Sequence, residues 1–125
     1  MRTTTYARFF RSLQTATETA YIVGDAPAQC IIGGKMFRVA DSTLLANYTQ
    51  PYETYGDAWL DEDLYRSVNG RLFLRLVGGP ESIHRIGGAG GGQLLPLDTA
   101  DAKRWLEFRG LIAEYVAIFG EPEAA

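Results

Sequence analysis

Cysteine and histidine each occur once among the 125 residues of this chain. Cys30 has no second cysteine for an internal disulfide, and it lies in the apolar run Cys30-Ile31-Ile32, which reads as a buried, inert thiol. His84 alone cannot supply a two-histidine metal site, and the only acid near it in sequence is Glu81, so no metal is expected. Long apolar runs are missing too. None approaches the roughly 18 to 20 residues that span a bilayer. The start, Met1-Arg2-Thr3-Thr4-Thr5-Tyr6-Ala7-Arg8, lacks the apolar stretch of a signal peptide behind it, because Arg11, Gln14 and Thr15 interrupt. A cytoplasmic protein without a membrane partner is the expectation.

Parts for catalysis are equally scarce. Ser12, Ser42, Ser67 and Ser82 lie in no Gly-x-Ser-x-Gly elbow, and one histidine is all that could serve them. Gly34-Lys35 is followed by Met36, where a phosphate-binding Walker loop needs Ser or Thr. The tract Gly88-Ala89-Gly90-Gly91-Gly92-Gln93 fails the dinucleotide fingerprint at its sixth position. Asp61, Glu62 and Asp63 read as a solvated acidic face and not as paired catalytic acids. No catalytic residue and no cofactor are assigned, and a non-enzymatic role is favoured over an enzymatic one.

Apolar content of 46% and aromatic content of 12% are those of a globular chain, and the length suits a single domain over 1–125. The net charge of -3 is unevenly spread. Residues 1–40 carry five basic against two acidic side chains, a net of +3. Residues 41–63 carry Asp41, Glu53, Asp57, Asp61, Glu62 and Asp63 with no Lys or Arg, a net of -6. Such a segment repels phosphate backbones and attracts basic surfaces, so a protein partner is expected before a nucleic acid.

Local patterns point to an α+β fold, an antiparallel β-sheet built from hairpins with a long C-terminal helix packed on one face. Residues 20–23 form a short β-branched and aromatic run before the turn cluster Gly24-Asp25-Ala26-Pro27. Two strands, 29–32 and 35–39, bracket Gly33-Gly34, and a second pair, 62–77, brackets Asn69-Gly70, whose residues tolerate positive φ. Phe9, Phe10 and Leu13 fit one helical face, while the threonine-rich 15–19 fit a strand, and the two readings stand side by side. Asp41-Ser42-Thr43 reads as a helix start with Leu44, Leu45 and Tyr48 as its apolar stripe, ending before Pro51. A strand is expected at 82–86, followed by a glycine loop and strand-like 93–95. Asp98 caps the final helix, whose apolar side is Ala102, Trp105, Phe108, Ile112, Tyr115, Val116 and Phe119. Gly110 weakens it, and Gly120 and Pro122 end it.

The pattern Leu64-Tyr65-Arg66-Ser67, Gly70-Arg71-Leu72-Phe73-Leu74, Gly78-Gly79, Ser82, Gly91-Gly92, Leu95-Pro96-Leu97, Ala102 and Trp105-Leu106-Glu107 resembles a group of short bacterial proteins carried on plasmids, prophages and other mobile elements. The resemblance covers roughly 62–107 and is one of pattern, not of a catalytic signature. The group commonly has an aromatic where this chain has Leu72, and an acidic or tyrosine-bearing stretch where it has Arg85-Ile86. It implies a mobile-element accessory protein and carries over no catalytic residue.

The candidate partner surface is the acidic aromatic set Tyr52, Tyr55, Asp57, Trp59, Asp61, Glu62 and Asp63, which with Tyr48 places an aromatic every three or four residues. Tyrosine and tryptophan give large contact area with few rotatable bonds, and acidic neighbours steer a basic partner. The same spacing also fits the inner face of a short helix. The expected function is an inhibitor of a host defence factor, of the anti-CRISPR kind, acting on a host protein with a basic surface. The first alternative is a small-ligand or nucleotide-binding protein using the loop 87–92 with His84, Arg85, Gly90 and Gly91. The second is an antitoxin-like or dimeric structural protein, and a homodimer is compatible with every reading.

Overall fold

A computed structural model describes residues 9–10, 28–85 and 90–125, together with the backbone of 21–23. Leu13, the threonine-rich 15–19, the turn 24–27, Ile86 and the glycines at 87–88 lie outside the described residues. The fold is α+β, with two antiparallel sheets.

Turn chemistry sets the two hairpins. Gly33 and Gly34 take φ of 59° and 76°, so a two-residue left-handed turn joins β2 (Gln29–Ile32) to β3 (Lys35–Arg38). β5 (Leu60–Arg66) and β6 (Leu72–Gly78) are joined differently from the two-residue turn that Asn69-Gly70 suggests. No non-glycine residue has positive φ among the described residues; Gly70 alone is left-handed there, at 84°. Gly70 N–H donates to the Ser67 carbonyl at 2.9 Å and Ser67 N–H to the Arg71 carbonyl at 2.7 Å. The loop is therefore three residues long, a turn followed by a left-handed glycine.

β4 (Thr43–Gln50) replaces the helix expected over 41–50. The register with β5 shifts between Leu44 and Ala46, so Leu45 is an inserted bulge residue. Leu45, Ala46 and Tyr48 consequently all meet the same core, which imitates helical spacing inside a strand. Of the strand expected at 82–86, the described residues 82–85 are instead part of a turn, closed by Ser82 N–H on the Gly79 carbonyl at 3.0 Å and Arg85 N–H on the Ser82 carbonyl at 3.3 Å. The second half of the glycine tract is strand: Gly91 and Gly92 open β7 (Gly91–Leu97), paired on one side with Gly78 and Val77 and on the other with β1 (Tyr21–Val23).

The five-stranded sheet runs β1-β7-β6-β5-β4. Its central strands are covered on both faces, which explains the continuous apolar runs in β6 and β7. One face carries Ala46, Leu64, Leu74, Leu76 and Leu95 under Ala102, Trp105 and Leu106. The other places Phe73 and Leu94 against Ile32 and Phe37, so the β2–β3 hairpin forms a second layer of its own. Phe9 and Phe10 form part of a helical turn, Phe10 buried in the first core and Phe9 packed against it.

The long C-terminal helix is two short ones, α2 (Thr99–Arg109) and α3 (Ile112–Phe119), after the small α1 (Tyr52–Tyr55). Asp98 Oδ1 accepts from Asp101 N–H at 2.8 Å, the expected cap. At the far end Gly110, at φ 70°, donates to the Glu107 carbonyl, and Leu111 N–H donates to the Leu106 carbonyl at 2.9 Å. This pair of reversed bonds ends a helix at a left-handed glycine, and the chain restarts in a new direction. Ile112, expected on the apolar face, is 76% exposed as a result. Replacing Gly110 with alanine is expected to lower stability by about 1–2 kcal/mol, because a Cβ is disfavoured in the left-handed region. Thermal unfolding checks it: an unchanged melting temperature would mean that α2 and α3 can merge into one helix at no cost.

Candidate functional site

β5 divides the acidic triplet between its two faces. Alternation puts Asp61 and Asp63 on one side and Glu62 on the other, with Leu60 and Leu64 in the same row as Glu62. Glu62 is fully buried, and four donors reach its carboxylate. Trp105 Nε1 donates to Oε1 at 2.9 Å, and Arg109 donates through Nε to Oε1 at 2.8 Å and through Nη2 to Oε2 at 2.6 Å. His84 Nε2 lies 2.7 Å from Oε2, placed to donate to it. Trp105 and Arg109, four residues apart on α2, point down together. The Arg109 guanidinium is 4.1 Å from the Tyr48 ring centroid and 4.8 Å from that of Phe108. His84 meets the edge of Phe10 at 5.0 Å.

The turn that delivers His84 depends on two glycines. A Cβ on Gly78 would strike Ser82, and one on Gly79 would strike the Asp57 carbonyl and the Trp59 indole. Without them Ser82 Oγ could not settle at 2.8 Å from the Gly79 carbonyl, nor accept from His84 N–H at 3.2 Å. Burial pushes the Glu62 carboxyl upward, but the hydrogen bonds and charges of His84 and Arg109 outweigh it and hold the group below the usual carboxylate range. The carboxylate is therefore ionised and saturated, with each oxygen accepting twice. It ties the turn, β5 and α2 together.

On the opposite face Asn47 Nδ2 bridges Asp61 at 2.7 Å and Asp63 at 2.6 Å. Thr49 donates to Asp61, and Arg75 pairs with Asp63 at 3.2 Å. Among the described residues no group of three or more His, Cys, Asp or Glu side chains could hold a metal ion.

The proposed partner set thus separates. Glu62 and Asp63 leave the surface, because each is buried and bound inside the fold. Asp61 is half-buried and occupied by Asn47 and Thr49. Trp59 is half-buried against Gly79. Tyr52, 63% exposed, Tyr55, 45% exposed, and the exposed Asp57 remain free to meet a partner. Exposed Glu53 lies between the tyrosines, and Glu81, whose N–H donates to the Asp57 carbonyl at 2.9 Å, adds a third exposed acid. The result is an acidic aromatic rim at one end of the sheet. Tyr48, Tyr52, Tyr55 and Trp59 do not lie on one helix; Tyr52 and Tyr55 are in α1, Tyr48 is in β4 and Trp59 ends the connection before β5.

Of the alternative ligand set, His84 is buried on Glu62, Gly91 in β7 pairs with Gly78 of β6 and Val23 of β1, and a Cβ on Gly90 would stand 3.0 Å from the Gly78 carbonyl. Arg85 is exposed, and its Nη1 donates to the Ser82 carbonyl at 2.9 Å. No family model matches the chain, and no curated protein or solved structure matches it.

Glu62→Gln removes the charge that balances Arg109 and turns a donor toward donors. It is expected to lower stability by about 3–5 kcal/mol at neutral pH. Because the folded state holds this carboxyl below its unfolded range, the unfolded chain takes up the proton first as pH falls. The stabilisation is full above the ordinary carboxylate range and lost through the depressed one. Asp63 and Asp101, pushed upward chiefly by burial, work in the opposite sense and are common to both proteins. Denaturant unfolding across pH should show the gap between native and Glu62→Gln proteins narrowing in acid; a gap independent of pH contradicts an ionised Glu62.

Proposed function

We propose that this chain is a non-enzymatic protein-binding module, and that the acidic aromatic rim at 51–58 with Glu81 is its docking surface for a basic protein partner. The observation that carries the reading is the exposure of Tyr52 and Tyr55 among Glu53, Asp57 and Glu81. Large aromatics left in water beside acids of one sign suit an interface: the rings supply contact area and the acids steer a cationic surface toward them. The buried carboxylate of Glu62 is filled by its four donors, so it is not offered to a ligand. The resemblance to mobile-element proteins directs the search to host factors. A defence complex whose basic groove takes nucleic acid is the class to test first, since Glu53, Asp57 and Glu81 would stand where phosphates bind.

The double substitution Tyr52→Ala with Tyr55→Ala tests the reading, since neither side chain is part of the core. The variant is expected to melt like the native protein and to lose a partner recovered from host lysate. A single hot-spot aromatic contributes about 2 kcal/mol or more to association. Recovery of the same partner in the same yield, or of no stable partner by the native chain, overturns the reading.

A further inference from the structure

β4 forms one margin of the five-stranded sheet, and among the described residues no strand pairs with its outer edge. Its sequence, Thr-Leu-Leu-Ala-Asn-Tyr-Thr-Gln, holds no charged residue and no proline. Those are the residues by which sheet margins commonly resist pairing with another chain. The bulge at Leu45 disturbs the first half of the strand and leaves 46–50 in regular register. The opposite margin, β1, has three described residues.

The two ends of β4 also differ in charge. At its start stand Lys35, Arg38 and Arg71, which line a cleft of about 370 Å³ with Asp41 as the counter-charge on Arg38. Arg66, opposite Thr43, adds a fourth cation there. At its finish stand the exposed Glu53, Asp57 and Glu81, with the exposed Arg85 four residues after Glu81.

We propose that two copies of this chain associate through β4, antiparallel about a two-fold axis, so that their sheets become continuous. The proposal rests on the reading above in treating the acidic rim as a docking surface, and it names the basic surface as the far end of a second copy. Antiparallel pairing lays each acidic end beside the other copy's basic end, twice in one closed dimer. Centred on Tyr48, it sets Tyr48 opposite its own counterpart and Asn47 opposite Thr49. Aromatic pairs and polar pairs stabilise neighbouring strands, and no like charges are opposed along the strand. The outward N–H and C=O groups of 46–50, which no described strand pairs with, are satisfied by the identical set on the other chain.

Light scattering on the full-length chain, behind size-exclusion chromatography, is expected to give twice the single-chain mass of 13.8 kDa. The mass should fall toward the single value on dilution and on adding salt, because the end-to-end contacts are between exposed charges. Hydrogen exchange at the outward amides of 46–50 should be slow in the dimer and fast after dilution. Thr49→Lys, which sets two lysines diagonally across the axis, should shift the population to monomer while the circular-dichroism spectrum of the folded chain is kept. The single-chain mass at every concentration overturns the proposal and leaves the Tyr52 and Tyr55 test with a different partner intact. A dimer whose 46–50 amides exchange equally at all concentrations also overturns it, since that dimer is held elsewhere.

Discussion

An ionised carboxylate in a dry interior costs several kcal/mol unless its charge is balanced and its lone pairs are filled. β5 places Glu62 in that position, in the row between Leu60 and Leu64 beneath α2. The rest of the architecture follows from satisfying it. α2 must lie so that Trp105 and Arg109 both point at β5. The chain leaving β6 must double back tightly enough to bring His84 under the sheet end, which in turn requires Gly78 and Gly79 where Ser82, Asp57 and Trp59 crowd the backbone. The Arg109 guanidinium needs a cover, and Tyr48, Phe108 and Phe10 surround it. A network this specific can be satisfied by one arrangement of strand, turn and helix, and it specifies that arrangement more sharply than the surrounding leucines can alone.

This division of labour separates structure from recognition. The buried groups that look chemically capable, Glu62, His84 and Arg109, are occupied by one another. Among the described residues, exposed charges gather near the two ends of β4, on connections and on the short hairpin strand β3. α1 and the turn after it hold the tyrosines and acids outward, while the β2–β3 hairpin and the β5–β6 loop hold the cations. Among the described residues the two sets of charges are thus separated along the axis of β4.

What the sequence disclosed is what depends on neighbouring residues. Gly33-Gly34 and Asp98 act through their own backbone surroundings, and both elements formed where they were expected. The single helix over 98–119 was only partly legible, because Gly110 signals weakness but not the reversed bonds to Leu106 and Glu107 that turn the chain. β4 was misread for a physical reason: one bulge residue moved Leu45 into the row of Ala46 and Tyr48 and erased the alternation that marks a strand. Glu62 was misread because Asp61 and Asp63 flank it and the three together look solvated. Strict alternation with Leu60 and Leu64 was the signal that could have placed it inward. Trp105 and Arg109, separated by one helical turn, could have suggested a buried acceptor, but their partner is more than forty positions away, a distance local patterns do not bridge.

The claim on which the account turns is that Glu62 and Arg109 stabilise the fold as a coupled pair and not as separate contributors. A double-mutant cycle with Glu62→Gln, Arg109→Met and the combined variant, read by denaturant unfolding at neutral pH, measures that coupling directly. The two single losses should each be large, and the combined loss should be smaller than their sum by about 1–3 kcal/mol. Losses that simply add would contradict the account and return Glu62 to the status of an ordinary buried side chain.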